Sequence, residues 1–439
     1  MTARPRVLVI AEAANPEWVS VPLIGWSMTE ALREVADVHM VTHIRNRGAI
    51  LRQGWVEGED FTVIDNERIA RPLYRLGEML RGGRGAGWTT SMAVQSIAYP
   101  YFERLIWKQF GKAIRAGQFD LVHRVTPLTP TAPSPIVRHC RRANVPFVLG
   151  PLNGGLPWPA QFREARHKEK EWLSYVRDFY KLLPYYRSTR RDAAAILVAS
   201  RATEDQLRRA ARGRQIYIPE NAIDPTCFPQ APTRNYKRPL RGVFIGRLVP
   251  YKGPDMLLEA AAPLLRDGTL ELDFLGDGPM MQSLCEMTKS EAIGHAVHMR
   301  GWVPHEQIHQ YLANADLLPF PSIREFGGGA VLEAMTAGVV PLVVDYGGPA
   351  ELVSDATGFK IPLGSREQIV AGLREQLEKL VADPSILESY SRMAVEDVHR
   401  RFTWPARAQQ MLEVYRYVMG ERPDQPVFPA PPARQLQPA

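Results

Sequence analysis

Two carboxylates frame a glycine-rich stretch in the last third of the chain. Glu325 and Glu333 stand eight positions apart, and the glycines 327–329 lie between them. Glycines let backbone N–H groups come close to a ligand, and the apolar pattern that follows predicts a helix whose first N–H groups favour an anion. Carboxylates accept hydrogen bonds from hydroxyl groups. A ligand with phosphate in one part and hydroxyl groups in another, such as a sugar nucleotide, suits this stretch.

Two cations follow a predicted buried strand earlier in the chain. Gly246 lets the chain turn after the apolar run 242–245, and Arg247 and Lys252 stand five positions apart in the loop that follows. Two cations in a strand-to-helix turn can clamp a diphosphate, Arg by paired hydrogen bonds and Lys as a point charge. Each alone is typical of solvent-facing loops, but together with the carboxylates downstream they favour a binding function.

These stretches resemble the G-R-L-x-x-x-K-G and E-x7-E motifs of retaining glycosyltransferases of the family-4 type, which have the GT-B fold. The resemblance implies that Arg247, Lys252 and Glu325 are catalytic and that Glu333 holds the ribose of the donor. It also implies further donor-binding positions, which are Gly246, Val303, Phe326, Gly327, Gly328 and Gly329. Phe326 follows Glu325 directly, whereas the usual form is Glu-Gly-Phe-Gly.

Composition indicates a two-domain protein that handles anions. The chain has 439 residues, 45% of them hydrophobic, which is enough for two cores. A net charge of +7 suits anionic substrates or an anionic membrane surface and is too small to indicate nucleic-acid binding. The unpaired spacing of Cys140, Cys227 and Cys285 predicts a reduced cytoplasm, with the inner face of the membrane as a second location.

The alternation of apolar runs with helical patterns predicts an α/β fold with doubly wound parallel sheets. The resemblance specifies this as GT-B, with two Rossmann-like domains facing a central cleft. The expected parts are an N-terminal acceptor domain (1–225), a C-terminal nucleotide-sugar domain (240–400), a helix that crosses back (404–420) and a disordered tail (421–439). Residues 68–90 read as a mobile insertion, and 225–239 as a linker.

The apolar runs place strands at intervals along the chain. The predicted strands are 7–10, 38–41, 61–64, 119–124, 146–149, 195–199, 216–218, 242–245, 272–275, 297–301 and 341–344. Ligands bind outside the carboxyl ends of parallel strands, so the loops after these strands are the candidate sites.

Three such loops in the first half are candidates for acceptor binding: 12–25, 123–131 and 150–159. Their candidate residues are Gly25, His123, Asn153 and Gly154. Related enzymes often have His-x-His at His123, with the second histidine facing the reaction centre, and that second position is Val125 here. A structural histidine and a catalytic one both remain open for His123.

The segment 162–192 combines nine Lys or Arg with five Asp or Glu and several aromatic residues. Such a segment could rest on anionic lipid headgroups. The alternative is a charged helix pair that caps the N-terminal sheet.

The resulting hypothesis is a retaining transfer of sugar from a nucleotide-sugar to a glycan, lipid-linked or small-molecule acceptor, with no cofactor, no metal and no nucleic acid. Arg247, Lys252 and the N–H groups after Gly327 would stabilise the departing nucleoside diphosphate. A nucleotide-sugar epimerase of the same fold and a non-catalytic sugar-nucleotide-binding protein are the alternatives. A dehydrogenase is disfavoured because the first strand is not followed by Gly-x-Gly-x-x-Gly.

Overall fold

The computed structural model describes residues 4–68, 71–72, 88–162, 182–211, 213–224, 226 and 236–429. These residues form two compact units. The first unit contains the described residues up to 155, those from 182 to 220, and those from 404 to 429. The second contains 156–162 and 221–403.

The first unit is built on a parallel sheet with the strand order β3-β2-β1-β4-β5-β6-β7. Its strands are β1 (Arg6–Ala11), β2 (Asp37–His43), β3 (Phe61–Ile64), β4 (Leu121–Thr126), β5 (Phe147–Leu152), β6 (Ala195–Val198) and β7 (Gln215–Tyr217). Its helices are α1 (Val21–Leu32), α2 (Arg47–Arg52), α3 (Trp88–Arg115), α4 (Ile136–Arg142), α5 (Tyr186–Asp192), α6 (Arg201–Ala211) and α14 (Trp404–Val418).

Strand β1 is apolar at every inner position because helices cover both faces of the sheet. Successive side chains point to opposite faces, so Val7 and Val9 lie in one core cluster with Met411 of α14, while Leu8 and Ile10 lie in another with Phe102 of α3. Each fully buried aliphatic side chain of this kind contributes about 1.5–3 kcal/mol. The pattern positions the ends of the strands, where the loops begin.

The second unit has a parallel sheet with the order β10-β9-β8-β11-β12-β13. Its strands are β8 (Leu240–Ile245), β9 (Leu270–Leu275), β10 (Val297–Gly301), β11 (Leu317–Phe320), β12 (Val340–Val344) and β13 (Phe359–Ile361). Its helices are α7 (Pro254–Arg266), α8 (Met281–Ser290), α9 (His305–Ala313), α10 (Gly329–Thr336), α11 (Gly348–Leu352), α12 (Arg366–Ala382) and α13 (Ile386–Arg401). Strands β8 and β11 are neighbours at its centre.

The predicted strands correspond to described strands, but β13 (Phe359–Ile361) was not predicted and two further features differ. The apolar run of β11 at 317–320 was not assigned as a strand, although it pairs with both β8 and β12. Helix α1 begins at Val21 instead of residue 26, with a proline at its start, so Gly25 lies inside a helix and not at the end of a loop.

The unit boundaries also differ from the predicted domains. Residues 156–162 were placed in the first domain, yet they pack within the second unit, where Tyr346 Oη donates a hydrogen bond of 2.8 Å to Pro157 O. The predicted disordered tail begins at 421, yet Gln425 Nε2 donates a hydrogen bond to Gln215 O of the first unit. Most of the predicted insertion 68–90, most of the linker 225–239 and the tail from 430 lie outside the described residues.

Candidate functional site

Lys252 lies in a short turn between β8 and α7. A single turn of 3-10 helix spans Pro250–Lys252, and Gly253 adopts the left-handed conformation just before α7. The side chain of Lys252 passes over Gly246, and its Nζ lies 5.0 Å from the centre of the Phe320 ring. The turn therefore aims the ammonium group across the carboxyl ends of β8 and β11.

The loop after β11 is joined to this turn through the backbone. Ile323 N donates a hydrogen bond of 2.9 Å to Tyr251 O. This bond fixes the two loops side by side, and two residues further on the Glu325 carboxylate accepts a hydrogen bond from Lys252 Nζ. Both side chains are largely buried, with 15% and 21% of their surfaces exposed. The structure therefore brings together the predicted catalytic pair Lys252 and Glu325.

Arg247 lies in the same loop as Lys252, but its side chain is exposed whereas that of Lys252 is largely buried. Its backbone is held on the C-terminal side, where Leu248 N donates a hydrogen bond of 3.0 Å to Asp277 O after β9. Its side chain is exposed and forms no ion pair with the described residues. A fixed backbone with an available guanidinium suits the binding of an anion from outside the protein.

The glycines after Glu325 form the entry to α10. Gly328 has φ of +68°, which an L side chain rarely adopts, and it precedes Gly329, the first residue of the helix. Gly348 N donates a hydrogen bond of 2.9 Å to Glu325 O, so the loop after β12 supports this entry. The first N–H groups of a helix have no partner within it, and α10 presents them next to Gly327.

Glu333 lies in the second turn of α10 and contacts a histidine that the sequence analysis did not single out. His305 Nε2 lies 2.8 Å from Glu333 Oε1. This hydrogen bond, outweighing the effect of burial, raises the pKa of His305 above its ordinary value. His305 begins α9 in the loop after β10, so both groups lie at the carboxyl edge of the sheet. The hydrogen bond therefore fixes one carboxylate oxygen of Glu333, the residue predicted to bind the ribose.

His305→Gln should reduce stability in a pH-dependent way. Because the folded-state pKa of His305 is raised, its contribution is fully present below pH ~6.5 and is lost as pH rises through the folded-state pKa. The side chain is 46% exposed, so the contribution should be under about 1 kcal/mol. Urea unfolding of both proteins at pH 5.5 and pH 9 measures it. An equal difference in free energy of unfolding at the two pH values would contradict the assignment.

The predicted contact residue Val303 is half-buried and packs against the core cluster of the second unit. Trp302 beside it is 73% exposed. Their backbone follows β10 at the carboxyl edge of the sheet. The structure therefore places Val303 on the same edge as Lys252 and Glu325.

A second feature that the sequence did not reveal is the environment of Arg324. Its guanidinium lies 4.9 Å from the centre of the Trp158 ring and 5.3 Å from that of Phe326. Trp158 in turn meets Tyr251 edge to face at 6.2 Å. Segment 156–162 thus helps to hold both the turn before Lys252 and the loop that carries Glu325. A tryptophan in a Gly-Pro-rich loop was the only available signal.

His123 is completely buried in the first unit. Its Nε2 donates a hydrogen bond of 2.6 Å to Gly150 O, and its Nδ1 accepts one of 2.7 Å from the Tyr415 hydroxyl. Burial, with a smaller effect of Arg124, lowers the pKa of His123 to about 4. Both ring nitrogens are occupied by the protein. This geometry favours the structural interpretation of His123 over the catalytic one.

Tyr415→Phe should lower stability without changing turnover. The substitution leaves His123 Nδ1 buried without its donor, and an unsatisfied buried group costs about 1–3 kcal/mol. Urea unfolding measures this loss, and steady-state kinetics measures kcat. A tenfold fall in kcat with unchanged stability would instead indicate that the histidine takes part in the reaction.

The other acceptor candidates are packed within the first unit. Asn153 is buried between the Glu220 carboxylate, to which it donates, and the Ser200 hydroxyl, which donates to it at 3.2 Å. Gly154 N donates to Thr203 Oγ1 at 3.1 Å. At Gly25, a Cβ would lie 2.0 Å from Ala13 O, so a close approach of two backbones requires glycine there. These residues shape the strand-end loops.

A cluster of buried charged residues supports the loop between β4 and α4. The sequence analysis did not predict this cluster. The buried Arg124 side chain donates to Ala132 O at 3.0 Å, and the Glu103 carboxylate accepts from Ile136 N at 3.0 Å and from Ser134 Oγ. Burial raises the pKa of Glu103, and the nearby Arg124 opposes that rise. The second half of the loop between β4 and α4 is thereby held in place.

The described residues lack two further features. No helix within them is both long and apolar enough to cross a lipid bilayer. They also contain no group of three or more His, Cys, Asp or Glu side chains placed to hold a metal ion. The predicted cytoplasmic location, the membrane contact and metal independence remain predictions.

Comparison with known proteins gives a family match within the second unit. Residues 230–394 match the family described as "Glycosyl transferases group 1". The chain is 26% identical over 246 residues to the alpha-D-kanosaminyltransferase of Streptomyces kanamyceticus, covering 52% of this chain and 61% of that protein. It is 29% identical over 247 residues to the alpha-maltose-1-phosphate synthase of Mycolicibacterium smegmatis, covering 51% and 63%.

Solved structures share the fold over most of the chain. HepE from Anabaena, solved in complex with UDP and glucose, has a TM-score of 0.58 and 16% identity, and the match covers 93% of this chain and 99% of HepE. At that identity the likeness shows the fold alone. The chain spans about half the length of the curated relatives that it matches.

These findings confirm the expected α/β GT-B fold and the resemblance to GT-B glycosyltransferases. The retaining family-4 type and the roles of individual residues are finer than the matches and remain predictions.

Proposed function

We propose that this chain is a retaining glycosyltransferase that moves a sugar from a nucleotide-sugar donor to a glycan, lipid-linked or small-molecule acceptor without a metal ion. The observation that carries the proposal is the contact between Lys252 and Glu325 at the ends of two neighbouring strands, with the exposed Arg247 in the same loop. The group 1 family match over the same unit supports it.

The proposed chemistry depends on stabilising the leaving group. When the bond between the anomeric carbon and the donor phosphate breaks, negative charge develops on the nucleoside diphosphate. Arg247, Lys252 and the N–H groups at the start of α10 would stabilise that charge. In the same step the acceptor oxygen bonds to the anomeric carbon from the same face and passes its proton to the leaving phosphate oxygen. The configuration at the anomeric carbon is then retained.

The two carboxylates would orient the donor. Without donor, Glu325 accepts from Lys252; when a phosphate attracts Lys252, Glu325 becomes available to the hydroxyl groups of the sugar. Glu333 would accept hydrogen bonds from the ribose while His305 holds its other oxygen. His305 would then be a positioning residue, because it acts on the donor only through Glu333.

The experiment has two stages. A panel of UDP-, GDP-, ADP- and dTDP-sugars is first screened for a rise in melting temperature, because a ligand of the native state stabilises it by mass action. The donor that binds is then incubated with candidate acceptors in EDTA, and NMR reads the anomeric configuration of the product. Retention in EDTA is expected. An inverted product, a changed sugar nucleotide formed without acceptor, or donor binding with no donor cleavage would each contradict the proposal.

A further inference from the structure

The loop that follows β5 begins in the first unit and continues in the second. Asn153 and Gly154 in its first half hydrogen-bond to Glu220 and Thr203 of the first unit. From residue 156 onward the loop belongs to the second unit. Residues 156–158, the docked segment, contact the loops that follow β8, β11 and β12.

Trp158 contacts the turn that carries Lys252. Its indole is 8% exposed and meets the Tyr251 ring edge to face, with the ring centres 6.2 Å apart. Tyr251 directly precedes Lys252 in the sequence. Aromatic pairs prefer this geometry, so the contact restricts the orientation of the Tyr251 side chain. The turn is therefore held both by Trp158 and by the hydrogen bond from Ile323 N to Tyr251 O.

The same indole contacts the loop that carries Glu325. The Arg324 guanidinium lies 4.9 Å from the centre of the Trp158 ring and 5.3 Å from that of Phe326. Arg324 and Phe326 are the two sequence neighbours of Glu325. A guanidinium within about 6 Å of a ring centre is attracted by the ring. Trp158 therefore restricts the backbone at Glu325 through the residue that precedes it.

The third contact of the docked segment is with the loop after β12. Tyr346 Oη donates a hydrogen bond of 2.8 Å to Pro157 O. A Cβ at Gly347 would lie 2.9 Å from Leu156 Cδ2 and 2.5 Å from Glu325 O, so this close approach requires glycine. Three loops that carry or support the candidate donor-site residues therefore contact the docked segment.

We propose that Trp158 is a positioning residue for the pair formed by Lys252 and Glu325. It acts on Lys252 through Tyr251 and on Glu325 through Arg324, and its buried indole faces the protein. The inference rests on the proposed function, because the position of the pair matters for turnover only if the pair acts on a donor. It goes beyond that function by making the donor site depend on a loop that begins in the first unit.

The position of Lys252 can be measured without a donor. Acetylation by acetic anhydride, followed by peptide mass spectrometry, compares Lys252 with Lys289, an exposed lysine of α8. Lys252 should react slowly in the wild-type chain, because its side chain is 15% exposed and its ammonium group donates to Glu325. Trp158→Leu should raise the rate at Lys252 about tenfold, the factor expected when a hydrogen bond to a charged group is lost. The rate at Lys289 should change by less than about twofold.

Trp107→Leu is the matched control. Trp107 also packs against a ring and a guanidinium, those of His139 and Arg115, but it lies in the first unit. It should change the acetylation rate of Lys252 by less than about twofold. Trp158→Phe keeps a ring for both contacts, so its rate should stay within about threefold of the wild-type rate.

Turnover separates positioning from a general loss of stability. Trp158→Leu should lower kcat about tenfold in the wild-type background, because the pair loses its defined geometry. In the Glu325→Gln background the loss should be under about threefold, since a residue through which Trp158 acts is already changed. Substitutions that act independently would instead multiply their effects.

Circular dichroism checks that each variant folds. Where Trp158→Leu does not fold, Arg324→Lys replaces it, because lysine keeps the charge but lacks the planar group that stacks on a ring. The proposal is overturned if folded Trp158→Leu acetylates Lys252 at the wild-type rate, if Trp107→Leu accelerates the reaction equally, or if the losses in kcat multiply. A chain that turns over no nucleotide-sugar would contradict the proposed function, and the acetylation rates would still test the position of Lys252.

Discussion

Lys252→Ala should lower kcat by about 100- to 1,000-fold, the loss seen when one preorganised donor to a developing negative charge is removed. The Lys252 side chain is largely buried, lies over Gly246 and Phe320, and donates to Glu325, so its ammonium group has one well-defined position. Steady-state kinetics with the donor found by the thermal screen measures the effect. The loss should fall on kcat because the charge develops in the transition state.

Lys289→Ala is the matched control, since Lys289 is an exposed lysine of the same unit on α8. It should change kcat by less than about twofold. A Lys252→Ala protein that folds and keeps its turnover would remove Lys252 from the mechanism.

Glu325→Gln should change turnover and nucleotide affinity in opposite directions. Turnover should fall about 100-fold, because the donor sugar loses the carboxylate that orients it. The affinity for the free nucleoside diphosphate should rise by up to about fivefold, because Lys252 loses the partner that competes with phosphate. Kinetics measures the first effect and calorimetric titration the second.

Glu271→Gln is the control for this variant. Glu271 is also a carboxylate of the second unit, and its partner Arg241 lies 3.7 Å away at the amino end of β8. Glu271→Gln should change neither the turnover nor the affinity for the nucleoside diphosphate. If Glu325→Gln weakens nucleoside diphosphate binding, then Glu325 contacts the nucleotide and the assigned division of roles is wrong.

The sequence predicted four of the six strands of the second unit and its candidate site residues, because these lie in short local patterns, but it did not predict β11 and β13. Arg247, Lys252 and Glu325 each follow a strand by a few residues, and parallel strands deliver such loops to one edge of the sheet. The contact between Lys252 and Glu325 additionally requires β8 and β11 to be neighbours. That adjacency follows from the doubly wound order and not from any local pattern.

Other features depended on contacts that no local pattern encodes. The partner of His123 is Tyr415, which lies 292 positions away, so burial of both ring nitrogens could not be foreseen. The contact of His305 with Glu333 joins the start of α9 to the second turn of α10, and β11 lies between the two helices in the sequence. Segment 156–162 belongs to the second unit, where Trp158 packs with Arg324 and Tyr251 and Tyr346 donates a hydrogen bond to Pro157 O.

The most direct test of the account is a calorimetric titration of the wild-type chain and of Arg247→Ala with UDP, GDP, ADP and dTDP. The account predicts that at least one of these binds the wild-type chain with a stoichiometry of one. It also predicts that Arg247→Ala weakens that binding by about 10- to 150-fold, the range for a hydrogen bond to a charged group. No binding by any of the four, or equal affinity in the two proteins, would contradict the claim that this turn holds a nucleoside diphosphate.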